Sequence, residues 1–88
     1  MKKVEIYTSA SCPYCIRAKT LLEKKGVGYT ELRVDQNTEY AEASVQKSGG
    51  RTSVPQIFIG EYHVGGSDEL HALEREKKLD ALLEDDSP

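Results

Sequence analysis

The 88-residue chain has no tryptophan, a single phenylalanine, one methionine, three prolines and only two cysteines. Two thiols cannot build the multi-bridge framework of a small secreted domain, so the fold has to rest on an apolar core. No apolar run approaches the roughly 20 residues that a membrane-spanning helix needs. The basic start Met1-Lys2-Lys3 reaches Glu5 after one apolar residue, so no signal-peptide core is expected. There is no excess of positive charge either. Twelve Lys and Arg stand against 15 Asp and Glu, for a formal net charge of -3, and no long basic block occurs, which argues against nucleic acid or an acidic membrane as partner. With 38% hydrophobic and 31% charged residues, the composition excludes a disordered tail and suits one small domain over residues 1–88, whose acidic end, 84–88, is expected to fray. Without export the thiols should face a reducing cytoplasm, and the chain is expected to be a monomer. There a stable structural disulfide is disfavoured, and a cycling or metal-bound thiol pair is the better expectation.

What the chain does hold is periodic. Val4, Ile6 and Thr8 alternate with Glu5 and Tyr7 in a strand predicted over Lys3–Thr8, and from Pro13 a helical pattern carrying Ala18, Leu21 and Leu22 runs to a stop at Gly26. Tyr29–Val34 alternates again. Asn37 is a candidate cap for a helix with a thin apolar face, Ala41 and Val45, ending near Gly49-Gly50. Val54-Pro55 leads into a third strand, Gln56–Ile59; Gly60-Glu61 turns it into Tyr62–Val64, and Gly65-Gly66 ends the sheet. Ser67 or Asp68 can cap a last helix with Leu70, Leu73, Leu79, Leu82 and Leu83, which the polar run Glu74–Lys78 divides in two. The order βαβ-α-ββ-α implies an α/β fold. Its crossover makes two strands parallel, the hairpin adds an antiparallel pair, and helices cover both faces of one mixed sheet.

The two thiols stand as Cys12-Pro13-Tyr14-Cys15, between the first strand and the first helix. Proline is favoured in a first helical turn because its missing N–H would have no partner there. Cys12 therefore belongs where unpaired N–H groups and the helix dipole favour an anion. A free thiol, with a pKa near 8.5, is only a few per cent ionised at neutral pH, whereas C-x-x-C thiols at helix N-termini titrate roughly between 3.5 and 7.5. Cys12 is the expected thiolate nucleophile. Cys15, one turn inside the helix and more shielded, is the expected resolving thiol. A structural staple is the first competing reading, but a bridge over two intervening residues constrains the unfolded chain little. Zinc held with His63 and His71 is the second; those histidines are eight apart, outside the usual spacing, and are better accounted for as ordinary surface residues.

Five segments together carry a resemblance: Val4-Glu5-Ile6-Tyr7, the Cys12-Pro13-Tyr14-Cys15 motif, Arg17-Ala18-Lys19, Arg51 through Ile59, and Gly65-Gly66-Ser67-Asp68-Glu69-Leu70. Over nearly its whole length the chain resembles the glutaredoxins, small glutathione-dependent members of the thioredoxin superfamily. The resemblance implies a thioredoxin fold with a four-stranded mixed sheet and a cis Pro55. It also implies a dithiol enzyme that reduces protein disulfides and protein–glutathione mixed disulfides and is regenerated by glutathione, with no tightly bound cofactor and no metal. A glutathione site made of Tyr14, Arg51, Ser53, Val54, Pro55, Gly66, Ser67 and Asp68 follows. Tyr14 would edge the thiols, and Val54, kept extended by the proline after it, would pair with the peptide-like ligand. The N–H groups of a helix opened by Ser67 and Asp68 would take a carboxylate, with Gly66 permitting close approach, Asp68 would meet the ammonium group, and Arg51 would face the second carboxylate. Without the resemblance, Ser67 and Asp68 read as helix caps, Val54-Pro55 as a loop-to-strand junction and Arg51 as a solvated charge. Expected protein partners carry disulfides or glutathione adducts, ribonucleotide reductase among them at the level of the family.

Two departures from the family pattern stand out. Many relatives have lysine where this chain has Ser9, which leaves Arg17, Lys19 or Arg51 to compensate; some have a third cysteine in place of Ser67. Two other functions compete. One is a module that shares an iron–sulfur cluster through Cys12 and bound glutathione, although such relatives carry Cys-Gly-Phe-Ser in place of Cys12-Pro13-Tyr14-Cys15. The other is a redoxin supplied with electrons by thioredoxin reductase.

Overall fold

Alternation at Val4, Ile6 and Thr8 makes β1 (Val4–Thr8) a two-faced strand, and the computed structural model, which describes residues 2–84, shows what each face meets. β1 pairs in parallel with β2 (Thr30–Arg33) and antiparallel with β3 (Gln56–Ile59), which turns into β4 (Tyr62–Gly65), giving the order β2-β1-β3-β4. α1 (Pro13–Lys24) is the crossover between β1 and β2, α2 (Thr38–Lys47) joins β2 to β3, and α3 (Ser67–Arg75) and α4 (Leu79–Leu83) follow the sheet. This is the mixed four-stranded sheet with flanking helices expected of a thioredoxin fold.

On one face Val4, Ile6, Ile57 and Ile59 meet Ala18 and Leu22 of α1, Leu70 of α3, and Leu79 and Leu83 of α4 in an aliphatic core. Burying each large side chain there stabilises the fold by about 1.5–3 kcal/mol. The opposite face is aromatic and partly polar. Tyr7 meets Phe58 edge to face at 5.8 Å, His63 stacks on Phe58 at 4.7 Å, and Lys47 of α2 lies 4.8 Å over the Phe58 ring while bonding Glu5 at 3.0 Å. α2 buries only Ser44 fully, which agrees with the thin apolar face read from Ala41 and Val45.

Helix ends follow local chemistry. Asn37 caps α2 by accepting the Glu39 N–H at 2.8 Å, and Gly26, at φ 73°, turns the chain after α1. The expected cap of the last helical segment is corrected: Gly66, not Ser67 or Asp68, is the N-cap of α3, because Glu69 reaches back to accept the Gly66 N–H. The polar run Glu74–Lys78 does divide α3 from α4, with Lys77 at φ 61°. A backbone bond from Lys2 N–H to the Leu83 carbonyl, 2.9 Å, ties the approach to β1 to the last turn of α4. The expected fraying of 84–88 lies outside the described residues except for Glu84, whose N–H bonds the Asp80 carbonyl at 3.1 Å.

Candidate active site

Cys12 is the N-cap of α1. Its backbone is extended, and its Sγ accepts the Cys15 N–H at 3.1 Å, while Pro13 takes the first helical position. Sulfur thus stands in for the side-chain oxygen that usually caps a helix, at the end of the helix that favours negative charge. Cys12 and Cys15 are close enough to form a disulfide, with their Cα atoms 5.2 Å apart. The two sulfurs differ in access. Cys15 is 1% exposed, on the stripe of α1 that also buries Ala18 and Leu22, whereas Cys12 is half-buried. The loop before Cys12 is pinned from the turn after β2: the Asp35 carboxylate accepts the Ala10 N–H at 3.1 Å and two bonds from Arg33 at 2.8 and 2.9 Å. Arg33, and after it the Ala10 N–H, hold the Asp35 carboxyl down at about 2.

Beside the thiols lies a cleft of about 160 Å³. All eight residues singled out in the sequence line it: Tyr14 from α1, Arg51, Ser53, Val54 and Pro55 from the segment before β3, and Gly66, Ser67 and Asp68 from the start of α3. The Val54-Pro55 peptide is cis. The Val54 carbonyl oxygen lies 3.9 Å from Cys12 Sγ, and both polar groups of the Val54 backbone stand ahead of the strand ladder, which begins at Gln56. Tyr14, 54% exposed, forms the outer rim.

Glu69 also lines the cleft and was missed in the sequence, although its place three residues after the helix cap is a recognisable pattern. Its carboxylate accepts the Gly66 N–H at 2.5 Å and faces the Arg51 guanidinium at 3.6 Å. Ser67 is 3% exposed; its hydroxyl sits 3.3 Å from His71 Nδ1, which donates to the Ser67 carbonyl at 2.8 Å. What Ser67 offers the cleft is therefore its main chain. Asp68 is exposed at the mouth.

The cations named as substitutes for the lysine missing at Ser9 are differently engaged. Lys19 bonds Glu31 at 3.0 Å, a carboxylate that also takes the Thr8 hydroxyl at 2.6 Å; Arg17 lies 5.9 Å over the Tyr14 ring. The bond from Thr8, ahead of the contribution of Lys19, keeps the Glu31 carboxyl below its ordinary value. The reading of His63 and His71 as ordinary surface residues is corrected. Both are half-buried and hydrogen-bonded, His63 through Nε2 to Gln56 Oε1 at 2.7 Å. Burial, and then the charge of Arg51, lower the His63 pKa against an opposing pull from Glu69. Among the described residues no group of three His, Cys, Asp or Glu is placed to hold a metal ion, and no helix is long and apolar enough to cross a membrane.

The glutaredoxin family model matches residues 4–64. A glutaredoxin of Pseudomonas aeruginosa is 59% identical over 83 residues, covering 94% of this chain and 98% of its own. Among solved structures, a glutaredoxin of Brucella melitensis superposes with a TM-score of 0.81 at 51% identity, covering 94% of this chain and 89% of that one. A buckwheat glutaredoxin solved with glutathione superposes with a TM-score of 0.82 at 30% identity, covering 93% and 76%. With its C-x-x-C pair at the head of α1 and this fold around it, the chain belongs to the glutaredoxin family and is a thiol–disulfide oxidoreductase.

Proposed function

We propose that the chain, acting as a single cytoplasmic domain and a monomer, uses the Cys12/Cys15 pair to reduce protein–glutathione mixed disulfides and protein disulfides, with glutathione as the reductant. The observation that carries this reading is the convergence of Tyr14, Arg51, Ser53, Val54, Pro55, Gly66, Ser67 and Asp68 on one cleft beside Cys12. The buckwheat relative, solved with glutathione, supports the choice of ligand.

The chemistry follows from the unequal access of the two sulfurs. The Cys12 thiolate, favoured by the Cys15 N–H and the positive end of α1, attacks the glutathione sulfur of a mixed disulfide, and the protein partner leaves as a thiolate. A second glutathione then attacks the glutathione sulfur bound to Cys12 and releases glutathione disulfide. With a protein disulfide the partner's sulfur becomes linked to Cys12; Cys15, after losing its proton, attacks Cys12 and expels the partner's thiolate. That step leaves a Cys12–Cys15 disulfide, for which the two residues are close enough, and two glutathione molecules reduce it. In the cleft, Val54 pairs with the ligand main chain, the N–H groups at the head of α3 take one carboxylate, Asp68 meets the ammonium group and Arg51 faces the remaining carboxylate. The reduction potential is expected near the glutaredoxin range of about −200 to −230 mV.

Two variants and two electron donors test the reading. Cys12→Ser should abolish turnover of both substrate types; Cys15→Ser should retain deglutathionylation and lose most reduction of protein disulfides. Glutathione should support turnover where thioredoxin reductase does not. Activity persisting in Cys12→Ser, or a preference for thioredoxin reductase as donor, would overturn the assignment.

A further inference from the structure

Gln56 opens β3 and is fully buried, yet its side chain carries two polar atoms, Oε1 and Nε2, that need partners. Its side-chain nitrogen donates to the Ser53 carbonyl at 3.0 Å and to the Ser53 hydroxyl at 3.2 Å. A carbonyl can only accept, so the amide must present its nitrogen to Ser53 and its Oε1 to His63, whose Nε2 lies 2.7 Å away. Oε1 can only accept as well, and His63 must therefore carry its proton on Nε2. The ring is fixed in that attitude by stacking on Phe58, with centroids 4.7 Å apart and planes 21° from parallel. A one-way chain of hydrogen bonds thus runs from β4 through the start of β3 to Ser53, in the wall of the cleft. Neither Gln56 nor His63 lines the cleft itself.

We propose that Gln56 and His63 are positioning residues for glutathione, acting through the Ser53-Val54-Pro55 backbone. The inference rests on the cleft being the glutathione site. The reacting sulfur caps α1, where the Cys15 N–H holds it, and its loop is held by the separate Asp35 anchor; only the Val54 carbonyl, 3.9 Å from that sulfur, comes near it from the wall. Loss of the His63 donor leaves Gln56 Oε1 buried without a partner, a costly arrangement that it can relieve only by turning its amide away from Ser53. The ligand-binding wall then shifts while the Cys15 N–H and the Asp35 anchor still hold the sulfur and its loop, so binding should suffer more than chemistry.

Two substitutions at one position separate this role from simple packing. His63→Phe keeps a ring on Phe58 but has no donor; His63→Gln keeps an N–H at similar reach but has no ring. Steady-state turnover of a peptide carrying glutathione in mixed disulfide, with glutathione as reductant, gives KM and kcat. His63→Phe should raise KM about five- to tenfold with kcat within about twofold of wild type, and His63→Gln should restore KM to near the wild-type value. A wild-type KM in His63→Phe, or KM raised in His63→Gln as much as in His63→Phe, overturns the proposal in favour of stacking alone. Nitrogen-15 NMR of the unsubstituted protein supplies a test that does not depend on variants folding: His63 should hold its proton on Nε2, and protonation on Nδ1 alone refutes the chain of bonds. If the wild type shows no saturation with the glutathionylated peptide, the glutathione reading itself fails and takes this inference with it. That result is distinct from a saturating wild type matched by both variants.

Discussion

Arg51 and Glu69 face each other at 3.6 Å, so the one cation that lines the cleft among the described residues is matched to a carboxylate of the protein's own before any ligand arrives. Both side chains are about half exposed, and the pair is correspondingly weak and sensitive to salt. A glutathione carboxylate approaching Arg51 has to compete with Glu69. Glu69→Gln should therefore lower KM for a glutathionylated peptide about two- to threefold at low ionic strength, a gain that narrows as salt is added. A KM that rises instead would show that Glu69 serves the ligand only by capping α3.

Gly65 lies against the same carboxylate. Its φ of 111° suits glycine, and a Cβ built there would come within 2.6 Å of Glu69 Oε1 and 3.3 Å of the Arg51 guanidinium. Gly65→Ala should cost about 1–3 kcal/mol from backbone strain and push Glu69 off the Gly66 N–H. Thermal unfolding should show the lower stability, and KM should change by more than kcat.

Stability and chemistry separate in the aliphatic core. Leu22 is completely buried on α1 between the sheet and its neighbouring helices. Leu22→Ala should destabilise by about 2–5 kcal/mol, on the order of 10–40 °C in Tm for a domain of this size. At 15–20 °C, activity per folded molecule should remain within about twofold of wild type. A selective loss of activity there would mean that the core couples to the thiols more tightly than the packing implies.

The Asp35 anchor gives a dependence on acid with a definite sign. Its carboxyl titrates at about 2 in the folded chain against roughly 3.9 in an unfolded one. The contribution is fully present above about pH 4 and is lost as the pH falls through about 2. Asp35→Asn should be less stable than wild type at pH 7 by urea unfolding, and the gap should close between about pH 4 and pH 2. An equal gap at pH 7 and pH 2 would show that the Ala10 N–H, rather than the charge, provides the stabilisation.

Much of the fold was legible because its signals are local. Alternation at Val4, Ile6 and Thr8, the stop at Gly26, the turn at Gly60 and the polar interruption at Glu74–Lys78 each depend on a few neighbouring residues, and each has its counterpart in the structure. The candidate site was legible for another reason: Cys12-Pro13-Tyr14-Cys15, Val54-Pro55 and Gly66-Ser67-Asp68 are compact motifs whose likeness to a family carried them together. What escaped were pairings across the chain. Gln56 reads as one more strand residue until His63 and Ser53 are seen on either side of it, and Glu69 reads as a solvated helix charge until Arg51 stands opposite. The α3 cap was misplaced by one residue for the same reason, since a glycine becomes the cap only when a glutamate three positions later reaches back to it.

The contact between Lys2 and Leu83 means that the two ends of the described fold meet. A short linker joining them would close the chain into a ring without crossing the sulfur centre, and the ring could be reopened at the exposed Gly49-Gly50 bend. A circular permutant made in this way should fold and keep its redox chemistry, with new termini well suited to fusing a reporter.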